Sequence, residues 1–126
     1  MKSGRSLVNL AQELQRQLAS KKDLVVPSSL LQCRTEKDGK LTMIVDAKYG
    51  EGEYGITELA RRQLAEKLKI PFAYFERMRT EQPALLDRNV NTWLISDDES
   101  RMIRLLDGKV RAVLSDRYRR LEKTAA

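Results

Sequence analysis

The sequence contains no histidine and only one cysteine among its 126 residues. Without histidine, the chain lacks the usual general base of nucleophilic triads and the commonest metal ligand. Cys33 cannot form an internal disulfide or the ligand cluster of a structural zinc site, so we expect it to be a small core residue in a reducing compartment. These absences predict a protein that is not an enzyme and that holds no cofactor and no metal.

Long hydrophobic runs are also missing. Polar residues interrupt the apolar positions of residues 7–19, so the sequence predicts neither a signal peptide nor a transmembrane span. The chain has only three prolines and six glycines, with 41% hydrophobic and 33% charged residues. This composition predicts one soluble domain over residues 1–126 with a single modest core.

Hydrophobic periodicity predicts an α+β fold that begins with a helix and a β-hairpin. Leu7, Leu10, Leu14 and Leu18 recur at three- and four-residue steps, which predicts an N-terminal helix over residues 7–20. Two short apolar runs at residues 30–35 and 41–47 flank Asp38 and Gly39, a pair favoured in type I′ turns. The glycine-rich, acidic segment 48–55 is expected to be a flexible connection.

A helical middle follows. Thr57 is a helix cap candidate for residues 58–68, while Pro71 and Pro83 each open a further helix. Trp93 has helical spacing with other apolar residues and is expected in the core. The acidic segment 97–100 is expected to be a solvated loop.

A second hairpin is predicted around Asp107 and Gly108, with strands at residues 101–106 and 110–114. A two-residue turn pairs Arg104 with Arg111, so two like charges would lie opposite each other and repel. The same register turns an apolar set towards the helices, namely Ile103, Leu105, Val110, Ala112 and Leu114.

Positive charge is concentrated in this hairpin and in the basic C-terminal segment after it. The chain has 24 Lys+Arg against 18 Asp+Glu, a net charge of +6, and eight of those basic residues follow Ser100. Arginines beside an aromatic ring suit phosphate pairing with base stacking. The candidate nucleic-acid-binding residues are Arg104, Lys109, Arg111, Arg117, Tyr118, Arg119 and Arg120. The alternative is a solvated basic face partly neutralised by Asp97, Asp98 and Glu99.

Three further motifs have weaker interpretations. Residues 50–55 match the G-x-G-x-x-G pattern, but two carboxylates would face the pyrophosphate and no parallel strand follows the next helix. Asp46 and Lys48 resemble half of a metal-dependent nuclease site whose other carboxylates are not placed. Residues 57–78 have the outline of a helix-turn-helix, although Phe72, Tyr74 and Phe75 make its second helix too apolar for base contacts.

Four segments together carry a resemblance to a known family. They are ITELARRQLA at 56–65, KIPFAYFERM at 69–78, NVNTWL at 89–94 and RAVLSDRYRRL at 111–121. In order and spacing they resemble the phage and plasmid proteins grouped as domain of unknown function 932, over residues 55–121. The matching positions of the last segment include Arg111, Ser115, Asp116, Arg117 and Tyr118. Proteins of that family continue beyond this segment, so the chain resembles a shortened member or an excised front domain.

The resemblance implies a mobile genetic element, the cytoplasm of a bacterial host cell, and single-strand DNA handling or recombination. We therefore expect a non-enzymatic protein that binds single-stranded or structured nucleic acid, and oligomers are compatible with this expectation. The main alternative is a small anti-defence inhibitor, of anti-CRISPR or anti-restriction type, that docks on a host protein complex. Its apolar contact patch would be the N-terminal helix or Phe72, Tyr74 and Phe75.

Overall fold

A computed structural model describes residues 9–12, 21–50 and 52–115. Residues 9–12 are helical and lie within the predicted N-terminal helix, whose other residues are outside the described ranges. The remaining elements are β1 (Lys22–Pro27), a 3-10 turn (Ser28–Leu30), β2 (Leu31–Thr35), β3 (Leu41–Val45), α1 (Ala47–Gly50), β4 (Gly52–Ile56), α2 (Glu58–Lys67), α3 (Phe72–Glu81), α4 (Pro83–Ser96), β5 (Ser100–Leu106) and β6 (Lys109–Ser115).

The strands form one six-stranded sheet in the order β1-β5-β6-β4-β3-β2, so the α+β class and both hairpins are confirmed. The type I′ turn expected at Asp38 and Gly39 is wrong, because Gly39 has a positive φ but Asp38 does not, and the connection from β2 to β3 runs over residues 36–40. Neighbouring strands are antiparallel except β4 and β6, which are parallel and pair only through Gly55 with Lys109 and Ile56 with Val110. The prediction of a flexible connection at residues 48–55 is wrong, because most of this segment belongs to α1 and β4. Strand β1 was also not predicted. Two three-stranded halves are therefore joined by a short parallel seam.

The sheet is strongly curled. Strands β1 and β2 lie at opposite edges, and only the turn Ser28–Leu30 links them. A flat sheet would separate these edges by about 24 Å, whereas three linking residues span at most about 14 Å. Ser28 fixes the closure: its N–H donates to the carbonyl of Glu99 at 2.9 Å, and its hydroxyl donates to the carbonyl of Leu94 at 2.9 Å.

One hydrophobic core joins the sheet to the three longer helices. Helix α4 buries residues at four-residue steps, Leu86, Val90 and Leu94, while α3 buries Phe75 and Met78. Trp93 lies beside this stripe and is 53% exposed, so its predicted place in the core is wrong. Cys33 is confirmed as a core residue, because it is buried within the same cluster. Among the described residues, no helix is long and apolar enough to cross a membrane.

Helix α4 lies along the outer edge of β2. The side-chain oxygen of Asn91 accepts from the N–H of Cys33 at 2.8 Å, and its amide nitrogen donates to the carbonyl of Cys33 at 3.0 Å. One turn earlier, the carboxylate of Asp87 accepts from the N–H and hydroxyl of Thr35 at 3.1 and 2.6 Å. These side chains complete hydrogen bonds that a further strand would otherwise make.

Candidate nucleic-acid interface

The turn of the β5–β6 hairpin has the predicted chemistry. Asp107 and Gly108 adopt φ of +53° and +73°, the left-handed values that a type I′ turn requires. The register next to the turn is also confirmed, with Leu106 opposite Lys109 and Leu105 opposite Val110. The turn therefore places Lys109 at the exposed end of the hairpin.

Beyond this point the strands shift by one residue at a β-bulge. Arg104 pairs with Ala112 and Ile103 with Val113, so the predicted opposition of Arg104 and Arg111 is wrong. The bulge leaves Arg111 without a cross-strand partner in the register. The shift also changes which residues of β6 face the core. Val113 is buried, whereas Ala112 and Leu114, which were expected to be buried, are only half-buried.

Arg104 serves the sheet itself. Strand β1 places Asp23 directly opposite, and the two side chains form a bidentate ion pair with distances of 3.1 Å (Nε–Oδ1) and 3.2 Å (Nη2–Oδ2). Because β1 was not predicted, this carboxylate could not be foreseen as a partner. Arg104 is therefore partly neutralised within the fold, and it does not lie opposite Arg111 in the strand pair.

Lys109 and Arg111 are the exposed cations of the hairpin. Neither side chain forms an ion pair with any residue in the part of the chain that the structure describes. The other described arginines, apart from Arg88, have carboxylate partners. The remaining candidates, Arg117, Tyr118, Arg119 and Arg120, lie outside the described residues.

The acidic segment after α4 does not neutralise the exposed hairpin cations. Arg101 is buried and pairs with Asp97 at 2.6 Å and with Glu99 at 3.2 Å. Burial opposes ionisation of Asp97, but the backbone N–H of Glu99 and the Arg101 guanidinium outweigh it and lower the pKa of the carboxyl. The expectation of a wholly solvated loop is thus wrong, since Asp97 and Glu99 hold a buried arginine.

A basic cavity lies beside the hairpin turn. It has a volume of about 240 Å³, and its cationic lining residues are Lys40, Arg61, Arg79 and Lys109. Only Lys109 was a candidate from the sequence. The other three come from the β2–β3 loop, α2 and α3, and only the tertiary fold brings them together.

The two arginines of this cavity are held by Glu76 on α3. Its carboxylate accepts from Arg61 at 2.9 and 3.3 Å and from Arg79 at 2.6 and 3.3 Å. Burial opposes ionisation of Glu76, but the hydrogen bonds and charges of Arg79 and Arg61 prevail and lower its pKa. Further bonds run from Arg79 to the carbonyl of Gly39 at 2.8 Å and from Arg61 to that of Ile56 at 3.4 Å.

A larger groove of about 730 Å³ adjoins this cavity and shares Lys40 and Gly55 with it. Its charges are mixed, since three cations and three carboxylates line it, namely Arg34, Lys37, Lys40, Glu36, Asp38 and Glu53. Arg34 forms two bonds of 3.2 Å with Glu53 and a third contact of 3.4 Å with Glu36. The groove is therefore less suited to an anion than the basic cavity.

The prediction of an apolar contact patch formed by Phe72, Tyr74 and Phe75 on α3 is wrong. Phe75 is fully buried, and Phe72 stacks on it with ring centroids 6.1 Å apart while the Arg62 guanidinium lies 4.3 Å from the Phe72 ring centre. Only Tyr74 of the three is largely exposed. This burial also weighs against a helix-turn-helix, because the helix that would read the bases uses Phe72 and Phe75 for the core.

The structure also places the half nuclease motif and the cysteine that the sequence analysis singled out. The described residues contain no group of three or more metal-ligating side chains, and the Asp46 carboxylate accepts from the backbone N–H of Lys48 at 3.0 Å. Burial, with a further contribution from Asp87, raises the pKa of the Cys33 thiol to about 12. A thiol of that pKa is a poor nucleophile.

Comparisons with known proteins returned no match, since no family model, curated protein or solved structure is significantly similar to this chain. The resemblance to domain of unknown function 932 therefore remains an expectation from the four sequence segments.

Proposed function

We propose that this protein binds single-stranded or structured nucleic acid without catalysing a reaction, and that it belongs to a phage or plasmid. The observation that carries the proposal is the exposure of Lys109 and Arg111 on one hairpin, with no carboxylate partner among the described residues. Unpaired cations at the surface are free to neutralise phosphates and release counterions.

Two neighbouring features support the same surface. Lys109 also lines the basic cavity, which extends the positive surface from the hairpin towards α2 and α3. In the sequence, Arg117, Arg119 and Arg120 follow β6 closely, together with an aromatic residue suited to base stacking. Arg104 is assigned a smaller share of the binding, because Asp23 already accepts from its guanidinium.

The test is a titration of labelled single-stranded DNA, duplex DNA and RNA by fluorescence anisotropy at several salt concentrations. We expect the double variant Lys109→Glu/Arg111→Glu to bind at least about tenfold more weakly than the wild type. For a single strand, the negative slope of log K against log salt should become less steep by about 1.4, because each of the two lost phosphate contacts contributes about 0.7.

The matched control is Lys48→Glu/Arg88→Glu, which removes one exposed lysine and one exposed arginine elsewhere. This variant has the same net charge as the hairpin variant and should retain most of the affinity. If both variants lost the same affinity, the loss would come from net charge alone and the hairpin would have no special role in binding. Absence of binding at low salt to all three nucleic acids would contradict the proposed function.

A second candidate function is docking on a host protein complex. Trp93 and Ile95, near the end of α4, are 53% and 67% exposed, and tryptophan is enriched at the centres of protein interfaces. Association through this surface should be stoichiometric and insensitive to salt. A Trp93→Ala variant would then lose the complex while its nucleic-acid titration stays unchanged.

A further inference from the structure

The basic cavity lies at one end of the sheet, where three connections meet. The loop between β2 and β3 contributes Lys40, the junction of β4 with α2 contributes Gly55 and Thr57, and the hairpin turn contributes Lys109. Arg61 and Arg79 reach it from α2 and α3. No carboxylate is among its described lining residues, although acidic side chains are frequent elsewhere on the surface.

The two guanidinium groups are already fixed in place. Each of them uses three of its five N–H groups, two on the Glu76 carboxylate and one on a backbone carbonyl. Within the described structure, two N–H groups of each arginine are left for a further acceptor. A ligand would therefore meet donors whose side-chain entropy has been lost on folding.

The two lysines complete the cavity as adaptable cations. Lys40 and Lys109 are exposed and form no ion pair with a described residue. Asp38, the nearest carboxylate along the loop, accepts from the backbone N–H of Lys40 at 3.0 Å and lines the neighbouring groove instead. The ammonium groups can thus turn towards an anion in the cavity.

Gly39 allows the close approach of the loop to Arg79. Its φ is +88°, and an added Cβ would lie 3.2 Å from Nη1 of Arg79. Thr57 holds the other wall: its hydroxyl caps α2 at the N–H of Ala60 and donates to the carbonyl of Val110 at 3.2 Å. Both walls are therefore set by the fold before any ligand arrives.

The charge of the site selects the class of anion. Four cations with Glu76 behind them leave a net charge of +3, which one phosphodiester with a single negative charge would neutralise poorly. A phosphomonoester carries about −1.5 to −2 at neutral pH and has three strong acceptor oxygens. We propose that the basic cavity binds a phosphomonoester, supplied by the terminal phosphate of a nucleic-acid strand.

This inference rests on the proposed function for the source of the phosphate, because Lys109 belongs both to the cavity and to the exposed hairpin. A strand that follows the hairpin would bring its end to the cavity. The protein would then distinguish strand ends from strand interiors.

The experiment compares oligonucleotides of one sequence that carry a 5′-phosphate, a 3′-phosphate or only hydroxyl ends. For the wild type we expect one phosphorylated end to bind about tenfold tighter than the hydroxyl ends, as charge-assisted hydrogen bonds would give. Lys40→Gln should abolish this preference. Lys37→Gln is the matched control, because Lys37 lies in the same loop and lines only the neighbouring groove.

The outcomes separate this inference from the proposed function. Equal binding of all three oligonucleotides, or a preference that survives Lys40→Gln, overturns the phosphate site while the nucleic-acid surface stands. If no oligonucleotide binds, a nucleoside monophosphate is titrated while the amide resonances of Gly39, Gly55 and Thr57 are followed by NMR. Shifts confined to these amides would support a phosphomonoester site for free nucleotides, whereas unchanged spectra would overturn it.

Discussion

Glu76 is the residue on which the basic cavity depends. It is one carboxylate shared by Arg61 and Arg79, and all three side chains are less than a quarter exposed. Its pKa is lowered in the folded protein, so its ionisation favours the folded state. This contribution is complete above the pKa of a glutamate in the unfolded chain and is lost as the pH falls through the lower, folded value.

Replacement Glu76→Gln should lower the free energy of unfolding by about 2 kcal/mol at neutral pH, because two largely buried guanidinium groups lose their charged acceptor. The gap between variant and wild type should narrow in acid, where Glu76 of the wild type is itself protonated. Urea unfolding curves at neutral and acidic pH measure both effects.

Glu81→Gln provides the control on the same helix. Glu81 pairs with Arg77 at 2.8 Å, but both side chains are mostly exposed, so its loss should cost less than about 0.5 kcal/mol. Equal effects of the two substitutions would contradict the special role of Glu76.

Helix α4 acts as a substitute for a seventh strand along β2. Asp87 and Asn91 are four residues apart, so they lie on one side of the helix, one turn apart, next to Thr35 and Cys33. This arrangement explains why polar residues occur close to the buried stripe of Leu86, Val90 and Leu94. The helix therefore has two contact faces, one apolar towards the core and one polar towards the strand edge.

Substitution Asn91→Ala should destabilise the protein by about 2 kcal/mol, since both backbone groups of Cys33 lose their partner in a partly buried place. Thr92→Ala is the control, because among the described residues the Thr92 hydroxyl donates only to the carbonyl of Arg88 in its own helix. Its effect should stay within about 0.5 kcal/mol. Chemical denaturation of the two variants provides the comparison. Similar denaturation midpoints would contradict the role of Asn91 in completing the hydrogen bonds of the β2 edge.

Elements that begin or end at characteristic turn or helix-capping residues could be predicted from the sequence. Asp-Gly pairs indicated where both hairpins turn, although only Asp107 and Gly108 adopt the predicted turn conformation. Thr57 indicated the start of α2, and Pro71 and Pro83 indicated the starts of α3 and α4. Strand β4 has no such signal, because Gly52 and Gly55 weaken its strand pattern and its stability comes from β3 and β6 on either side.

The candidate site was predictable only in part for the same reason. Lys109 could be placed from the hairpin turn, but the fate of Arg104 depended on Asp23 in the unforeseen strand β1. The β-bulge beside Arg104 changed which residues of β6 face the core, and no glycine or other characteristic residue in the sequence indicated its position. Arg61 and Arg79 join the cavity through contacts that are distant in sequence.

At the scale of the whole molecule, the curl of the sheet ties every described strand and longer helix to one core. We therefore expect a single cooperative unfolding transition. Far-UV circular dichroism and labelling of the Cys33 thiol should report the same urea midpoint, because burial keeps this thiol unreactive until the core opens. Labelling at clearly lower urea would show that β2 and α4 open separately from the rest.

The contact of α4 with the edge of β2 also affects how copies of the protein associate at high concentration. An open strand edge with alternating apolar residues is a template for aggregation and domain swapping between copies. Asp87 and Asn91 occupy that template with side chains of the same chain. We therefore expect variants that lose both side chains to form fibrous or swapped assemblies at high concentration under conditions where they are still folded.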